Sequence, residues 1–236
     1  MGTVRLLLRL VALLLALLAA LPLHGAWRLF RRPSPWPRRF LAACAWIVGA
    51  RVRVQGAPPP ANALILANHL SWIDILLLAG SADAVFVAKG ELARVPLVGW
   101  LCRLNDTIFV ERGDRMAIDA QVAAVREALG ARPVAIFPEG TTGDGQTLLP
   151  FKSSLLAAID PPPPGLVVQP CRIDYGAATR DLVWVGDENG ASHASRVLRR
   201  RGGFVATLAF AEPFAPQGGR KKVAAEARAR IEALSR

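Results

Sequence analysis

A histidine and an aspartate five positions apart are the first candidates for chemistry. His69 and Asp74 belong to the segment NHLSWID at 68–74, which follows an apolar run over 63–67. Because α/β proteins bind ligands beyond the carboxyl ends of strands, this histidine is well placed for a site. In a turn that leads into a helix, Asp74 can fix the imidazole tautomer while the other ring nitrogen removes a proton. A helix-capping histidine beside a solvated acid is the alternative, and this segment alone favours neither.

A second polar segment, FPEGTTGDG at 137–145, also follows an apolar run, here over 134–137. Its glycines let the backbone approach a ligand closely, and its threonine hydroxyls and free N–H groups can hold an oxyanion. A plain surface turn would explain GTTGDG by itself. A glutamate directly after a buried strand, Glu139, fits that explanation less well.

Short apolar runs alternate with longer helical stretches after residue 60, and this alternation predicts an α/β fold. Several of the runs are apolar throughout, as in strands that are buried on both faces. Strands are predicted at 63–67, 84–88, 107–111, 134–137, 166–173, 182–185 and 204–210, and helices at 115–129 and 222–234.

The first 50 residues differ from the rest in composition, so we divide the chain into an N-terminal segment, 1–50, and an α/β domain, 51–236. Residues 1–73 contain nine arginines and no acidic residue, which leaves 20 basic against 18 acidic residues in the remainder. The overall charge of +11 is therefore concentrated on an apolar segment. That distribution favours lipid headgroups over nucleic acid as the anionic partner.

Two apolar runs in the N-terminal segment predict a membrane-embedded helical arm. The run over 10–23, extended by leucines at 6–8, is marginal for a bilayer core about 30 Å thick. A second run, 40–48, follows the Arg- and Pro-rich stretch RRPSPWPRR. Two short apolar helices with arginines and tryptophans nearby are typical of the headgroup boundary. We favour this arm over a cleaved signal peptide, because HGA at 24–26 matches a cleavage site poorly. Whether the arm spans the bilayer or lies in one leaflet is left open.

The three cysteines, Cys44, Cys102 and Cys171, are scattered and form no CxxC pair. This spacing indicates neither a disulfide framework nor a zinc site. No GxSxG segment is present, which disfavours the commonest hydrolase design.

Taken together, NHLSWID and FPEGTT resemble the glycerophospholipid acyltransferases, whose bacterial members include 1-acylglycerol-3-phosphate acyltransferases. The signature of that family is an NH-four residues-D block followed by FPEG. A middle block that ends in arginine is matched by FVER at 109–112, and an apolar block with proline by VVQP at 167–170. The resemblance covers about residue 51 to the C-terminus. It implies a mixed, largely parallel sheet flanked by helices, preceded by a membrane arm.

The resemblance also implies roles for individual residues. His69 would be the general base and Asp74 its orienting acid. The acceptor hydroxyl would attack the thioester of acyl-CoA or of acyl carrier protein directly, without a metal or cofactor. The implied substrate-binding residues are Arg112, Glu139, Gly140, Thr141, Lys89 and Lys152.

The acceptor is the least determined part of this expectation. Many family members read FPEGTR, and Thr142 stands where they carry the arginine expected to help with phosphate. The leading expectation is acylation of 1-acylglycerol 3-phosphate to phosphatidic acid at the cytoplasmic face of the inner membrane. The alternatives are acylation of lyso-ornithine lipid and, less favoured, hydrolysis of a lipid thioester.

Overall fold

The computed structural model describes residues 1–110 and 115–234, and these form a seven-stranded sheet with helices on both faces. The strands follow the order β1-β7-β6-β2-β5-β3-β4 across the sheet. Their bounds are β1 Ala50–Gln55, β2 Ala63–Ala67, β3 Val85–Lys89, β4 Ile108–Val110, β5 Val134–Ile136, β6 Val167–Asp174 and β7 Phe204–Phe210.

The sheet is mixed and largely parallel, as expected. Within it, β6 and β7 pair antiparallel, whereas the pairs β1–β7, β6–β2, β2–β5, β5–β3 and β3–β4 are all parallel. The central strand β2 is buried along its whole length. Because β5 and β6 run parallel on its two sides, the residues that follow these three strands meet at one edge of the sheet.

Helices cover the two faces and form two separate apolar cores. One core contains residues of α2, α3 and α7, and the other contains residues of α5 and α8. The α-helices in the described residues are α1 Gly2–Leu29, α2 Trp36–Ile47, α3 Ile73–Ala82, α4 Pro96–Leu104, α5 Arg115–Ala128, α6 Thr179–Leu182, α7 Gly190–Arg199 and α8 Gly219–Ala233.

Most predicted strands are confirmed within a residue or two, but one prediction is wrong. The run 182–185 is not a strand: Leu182 ends the short helix α6, and the next residues continue without strand pairing. Leu182 and Val183 are apolar because both are buried in the core. The edge strand β1 was not predicted, since all of its residues after Ala50 are exposed and a buried apolar run is missing.

The first helix of the N-terminal arm is longer than expected, whereas α2 is the second short helix that was predicted. The first helix, α1, continues for 28 residues through Pro22 and includes Arg5 and Arg9. At 1.5 Å per residue it is about 42 Å long. By length and composition it is a candidate for a membrane span, and many of its apolar side chains are exposed, Leu8 at 66% and Leu15 at 60%. Its other side packs on α2 and α7. The division of the chain at residue 50 stays a prediction.

Candidate active site

His69 and Asp74 meet in the turn that connects β2 with α3. His69 follows the last residues of β2, and Asp74 lies in the first turn of α3. Nδ1 of His69 is 2.8 Å from Oδ2 of Asp74. The backbone N–H groups of Leu70 and Ser71 donate to the same carboxylate oxygen, at 2.6 and 3.0 Å. The five-residue spacing therefore closes the turn around the carboxylate.

This contact fixes the tautomer of the neutral imidazole. An ionised carboxylate only accepts hydrogen bonds, so Nδ1 of His69 carries the proton, and in the neutral ring Nε2 has a free lone pair. No residue in the described part of the chain donates to Nε2. The ring stacks on Phe137 with centroids 4.0 Å apart and 13° between the planes. The side chain of His69 is 19% exposed, so Nε2 belongs to a group that a substrate can reach.

Asp74 is fully buried and is held by a tyrosine from another strand. Tyr175, which follows β6, donates its hydroxyl hydrogen to Oδ1 of Asp74. The Tyr175 hydroxyl is also 3.1 Å from Oγ of Ser71. Burial raises the pKa of Tyr175 well above its ordinary value, and the neighbouring Asp74 adds to this. The tyrosine is therefore a neutral donor at physiological pH.

Glu139 connects the two predicted segments. Its Oε1 accepts from the backbone N–H of His69 at 2.9 Å, and its Oε2 accepts from that of Leu149 at 3.0 Å. The N–H of Gly143 donates in turn to the carbonyl of His69, at 2.7 Å. Burial is the main cause that raises the pKa of Glu139. These contacts hold the loop after β5 against the histidine; contact of Glu139 with a substrate stays a prediction.

Lys152 contacts the loop after β5 near Pro138 and Gly140. The backbone N–H of Lys152 donates to the carbonyl of Pro138 at 2.8 Å. A Cβ placed on Gly140 would lie 3.1 Å from Nζ of Lys152, so the ammonium sits beside Gly140, whose φ is +69°. Thr141 next to it is exposed. Lys152 thus places a cation beside Gly140; contact of Gly140, Thr141 and Lys152 with a headgroup stays a prediction.

The other two predicted cations are Lys89 and Arg112. Lys89 is exposed at the end of β3 and pairs in register with Val110 of β4. No hydrogen bond or ion pair among residues 1–110 and 115–234 joins Lys89 to His69. Arg112 lies outside the described residues. The binding roles of both stay predictions.

Tyr175 and Arg172 are the site residues that sequence reasoning missed. Arg172 lies on β6 and shares a small pocket with His69 and Glu139; the other lining residues are Asn68, Leu70, Gly143, Gly145, Thr147 and Leu148. Tyr175 is the sole tyrosine of the chain. It follows a predicted strand, as His69 does, so the argument that sites lie beyond the carboxyl ends of strands would also have selected it.

The side chain of Thr142 is uncharged and is hydrogen-bonded within the protein, so it does not replace the charge of the arginine that many family members carry here. Its hydroxyl donates to the backbone carbonyl of Trp184, and the N–H of Trp184 donates to the carbonyl of Leu70 at 2.9 Å. The side chain that replaces the usual arginine is therefore used within the protein. It fastens the 142–145 loop to the segment after α6.

Known acyltransferases resemble this chain over half of its length or more. The sequence profile of the family described as Acyltransferase matches residues 51–174. A lyso-ornithine lipid O-acyltransferase of Rhodobacter capsulatus is 35% identical over 84% of this chain and 77% of its own. A 1-acyl-sn-glycerol-3-phosphate acyltransferase of Neisseria gonorrhoeae is 36% identical over 50% of this chain and 48% of its own.

The fold is also that of a solved member. The crystal structure of the 1-acyl-sn-glycerophosphate acyltransferase PlsC of Thermotoga maritima matches 100% of this chain and 98% of its own, with a TM-score of 0.64 and 24% identity. The chain therefore belongs to the glycerophospholipid acyltransferase family and is an enzyme that acylates a lysolipid.

Proposed function

We propose that this enzyme is a lyso-ornithine lipid O-acyltransferase, which esterifies a hydroxyl of the lysolipid with a fatty acyl group from a thioester. The observation that carries the proposal is Thr142, which stands where many phosphate-directed family members carry arginine and which is bonded to the Trp184 carbonyl. A bidentate phosphate donor is absent at this point of the described chain. The similarity to the R. capsulatus enzyme, which extends over most of both chains, supports the same acceptor.

In the proposed reaction His69 is the general base. Its Nε2 removes the proton of the acceptor hydroxyl as the oxygen attacks the thioester carbonyl carbon. The C–S bond then breaks, and the thiolate of coenzyme A or acyl carrier protein takes the proton back from the imidazolium. Asp74, hydrogen-bonded to Nδ1, stabilises the imidazolium between these two steps. A thioester is already activated, so moving this one proton suffices.

A second acceptor, 1-acylglycerol 3-phosphate, is favoured by two specific observations. Lys152 lies beside Gly140 in the FPEG loop, where it could neutralise a phosphate. The N. gonorrhoeae enzyme named for this acceptor is as similar in identity, although over half of the chain. From the sequence this acceptor was the leading expectation. The extent of the similarity to the R. capsulatus enzyme now puts the ornithine acceptor first.

We further propose that the N-terminal arm holds the enzyme at the cytoplasmic face of the cell membrane. The exposed apolar side of α1 and the arginines near its end and before α2 support this placement. Arginines beside anionic lipid contribute about 1 kcal/mol each. The cytoplasm is also where acyl-CoA and acyl carrier protein thioesters are available.

The test is an assay of the full-length enzyme in vesicles with both lysolipids, each offered with acyl-CoA and with acyl carrier protein thioester. Product formation is measured by mass spectrometry. The proposal expects ornithine lipid as the major product, at least tenfold faster than phosphatidic acid. Phosphatidic acid as the major product would shift the function to the second acceptor. Free fatty acid as the sole product would identify a thioesterase.

A further inference from the structure

Asp74 is a buried carboxylate whose two oxygens are used very differently. Oδ2 accepts from Nδ1 of His69 and from the N–H groups of Leu70 and Ser71. Among the described residues, Oδ1 accepts from the hydroxyl of Tyr175 alone. Asp74 is 0% exposed, so water does not replace a lost donor there. The orientation of the carboxylate toward His69 therefore depends on Tyr175 for one of its two oxygens.

The direction of the hydrogen bonds around Tyr175 follows from the chemistry of the groups. The carboxylate can only accept, so the single hydroxyl hydrogen of Tyr175 points to Asp74. Oγ of Ser71 accepts from the N–H of Ile73 at 3.2 Å and has its own hydrogen left to donate to the Tyr175 oxygen. The result is a relay in which Ser71 donates to Tyr175 and Tyr175 donates to Asp74.

Tyr175 is itself held in place by its surroundings. It is 1% exposed, and its ring packs edge-on against Phe204 with centroids 5.5 Å apart. It follows β6, the strand that lies directly beside β2. The sheet thus fixes the distance between the tyrosine and the turn that carries His69 and Asp74.

We propose that Tyr175 is a positioning residue of the acyl transfer, which acts by holding Asp74 so that Oδ2 faces Nδ1 of His69. This inference rests on the proposed catalytic role of the His69–Asp74 pair. Without the tyrosine hydroxyl, Oδ1 of Asp74 is left unpaired in a buried site, and the carboxylate can rotate or accept a hydrogen bond from a different donor. Its support of the imidazolium then weakens, while the substrate-binding surfaces stay unchanged.

The test is a double-mutant cycle with Tyr175→Phe and Asp74→Asn in the full-length enzyme. Tyr175→Phe keeps the ring and removes only the hydroxyl. We expect kcat to fall about tenfold or more, equivalent to about 1.4 kcal/mol, with KM for both substrates within about twofold. In the Asp74→Asn background the carboxylate is already gone, so the same change should lower kcat less than about threefold.

Thr179→Val is the matched control. It removes a hydroxyl in the same segment that contacts Asp174 and Gly176 but not Asp74, and it should leave kcat unchanged. An equal loss in both backgrounds would mean that Tyr175 has only a structural role. Unchanged kcat in Tyr175→Phe would overturn the proposal outright. If Tyr175→Phe does not fold, Ser71→Ala takes its place, with a smaller loss that must again vanish in the Asp74→Asn background.

A failure of the proposed function gives a different pattern. If His69→Ala retains activity with either lysolipid, the base itself is misassigned and the positioning role of Tyr175 falls with it. If His69→Ala is inactive but Tyr175→Phe is normal, the base stands and only the positioning role falls. The choice between the two lysolipids affects neither outcome.

Discussion

Arg9 of α1 donates from Nη1 to the carbonyl oxygen of Leu198 near the end of α7, at 3.1 Å. The same nitrogen is 3.1 Å from the carbonyl of Val197 and 3.2 Å from that of Arg200. The last carbonyls of a helix lack partners within the helix and carry the negative end of its dipole, so a guanidinium is well suited to them. The first turns of α1 are therefore attached to the end of α7.

Removing this attachment should loosen α1 at its start. In Arg9→Ala we expect amide hydrogen exchange to become roughly tenfold faster in the first turns of α1 and at the end of α7, because hydrogen bonds to a charged donor are lost. Exchange mass spectrometry on vesicle-bound enzyme measures this. Arg28→Ala, at the other end of α1, is the control and should change neither region. Identical exchange in Arg9→Ala and wild type would show that the contact does not hold the arm.

The proposed catalytic pair, His69 and Asp74, allows a direct test. His69→Ala should lower kcat by about 10²- to 10⁴-fold, the range of general-base catalysis. Asp74→Asn should also be strongly impaired, because an amide cannot stabilise the imidazolium in the same way. Initial rates with saturating lysolipid and thioester measure both. His24→Ala, a histidine bonded to Ser34 in the arm, should retain wild-type kcat. Activity of His69→Ala within a few-fold of wild type would refute the mechanism.

The elements around this pair were predictable for a local reason. β2 and β5 are short, apolar and followed at once by polar residues, so sequence alone placed NHLSWID and FPEGTT each at the end of a strand. Tyr175 was missed because its contact with Asp74 joins residues 101 positions apart, and only the pairing of β2 with β6 brings them together. The run 182–185 was misassigned because burial next to a helix gives the same apolar pattern as a short strand.

The length of α1 was underestimated for a different reason. Arg9 interrupts the apolar run that contains Pro22, and Arg5 precedes it, so the expected helix was confined to 10–23 and the leucines at 6–8. In the folded protein the two arginines donate to backbone carbonyls at the end of α7, and the helix continues through the proline. A polar residue in an apolar run is compatible with a continuous helix when another element provides its partner.

The buried His193 predicts a dependence of stability on pH. Nδ1 of His193 accepts from Nε1 of Trp72 at 2.9 Å, and its Nε2 donates to the carbonyl of Leu182. Burial lowers the pKa of His193 from its ordinary 6.5, and nearby Arg196 adds to this while Glu188 opposes it. As the pH falls the unfolded chain takes up this proton first. The stabilisation is thus complete above about pH 6.5 and is lost as the pH falls through the lowered pKa.

We therefore compare the Tm of wild type and of His193→Gln between pH 7.5 and 5.5. The advantage of wild type over the variant should shrink toward the acid end, because only wild type carries the titrating group. A difference in Tm that is constant across this range would contradict the prediction.

Gly145 tests how closely the FPEGTTGDG loop is packed. Its φ is +77°, and an added Cβ would lie 2.6 Å from Cγ2 of Thr179. Gly145→Ala should therefore combine backbone strain of roughly 1–2 kcal/mol with overpacking of about 1–3 kcal/mol. Gly186→Ala is the matched control, since φ is +69° but no atom lies within 4 Å of the added Cβ. Chemical denaturation should show a larger loss of unfolding free energy for Gly145→Ala than for Gly186→Ala. Equal losses would mean that the loop shifts to accommodate the added methyl group at little cost.

The proposed preference for the ornithine acceptor rests on Thr142. Two substitutions separate the effect of losing its hydrogen bond from the effect of adding a charge. Thr142→Val removes the hydroxyl that donates to the Trp184 carbonyl without adding a charge. Thr142→Arg removes the same bond and adds a guanidinium, which can bind a phosphate with two parallel hydrogen bonds. Both variants lose the contact with Trp184, so a difference between them reports the charge alone.

We expect Thr142→Arg to raise kcat/KM for 1-acylglycerol 3-phosphate relative to lyso-ornithine lipid by about fivefold or more, because one charge-assisted contact contributes roughly 1.5–3 kcal/mol when well formed. Thr142→Val should leave that ratio within about twofold of wild type while lowering Tm slightly. Competition assays with both lysolipids in the same vesicles measure the ratio directly. If Thr142→Arg and Thr142→Val give the same ratio, the residue at position 142 does not discriminate between the two headgroups. The discrimination between the two headgroups would then have to come from elsewhere in the site, and Lys152 beside Gly140, which could neutralise a phosphate, is the first residue to replace.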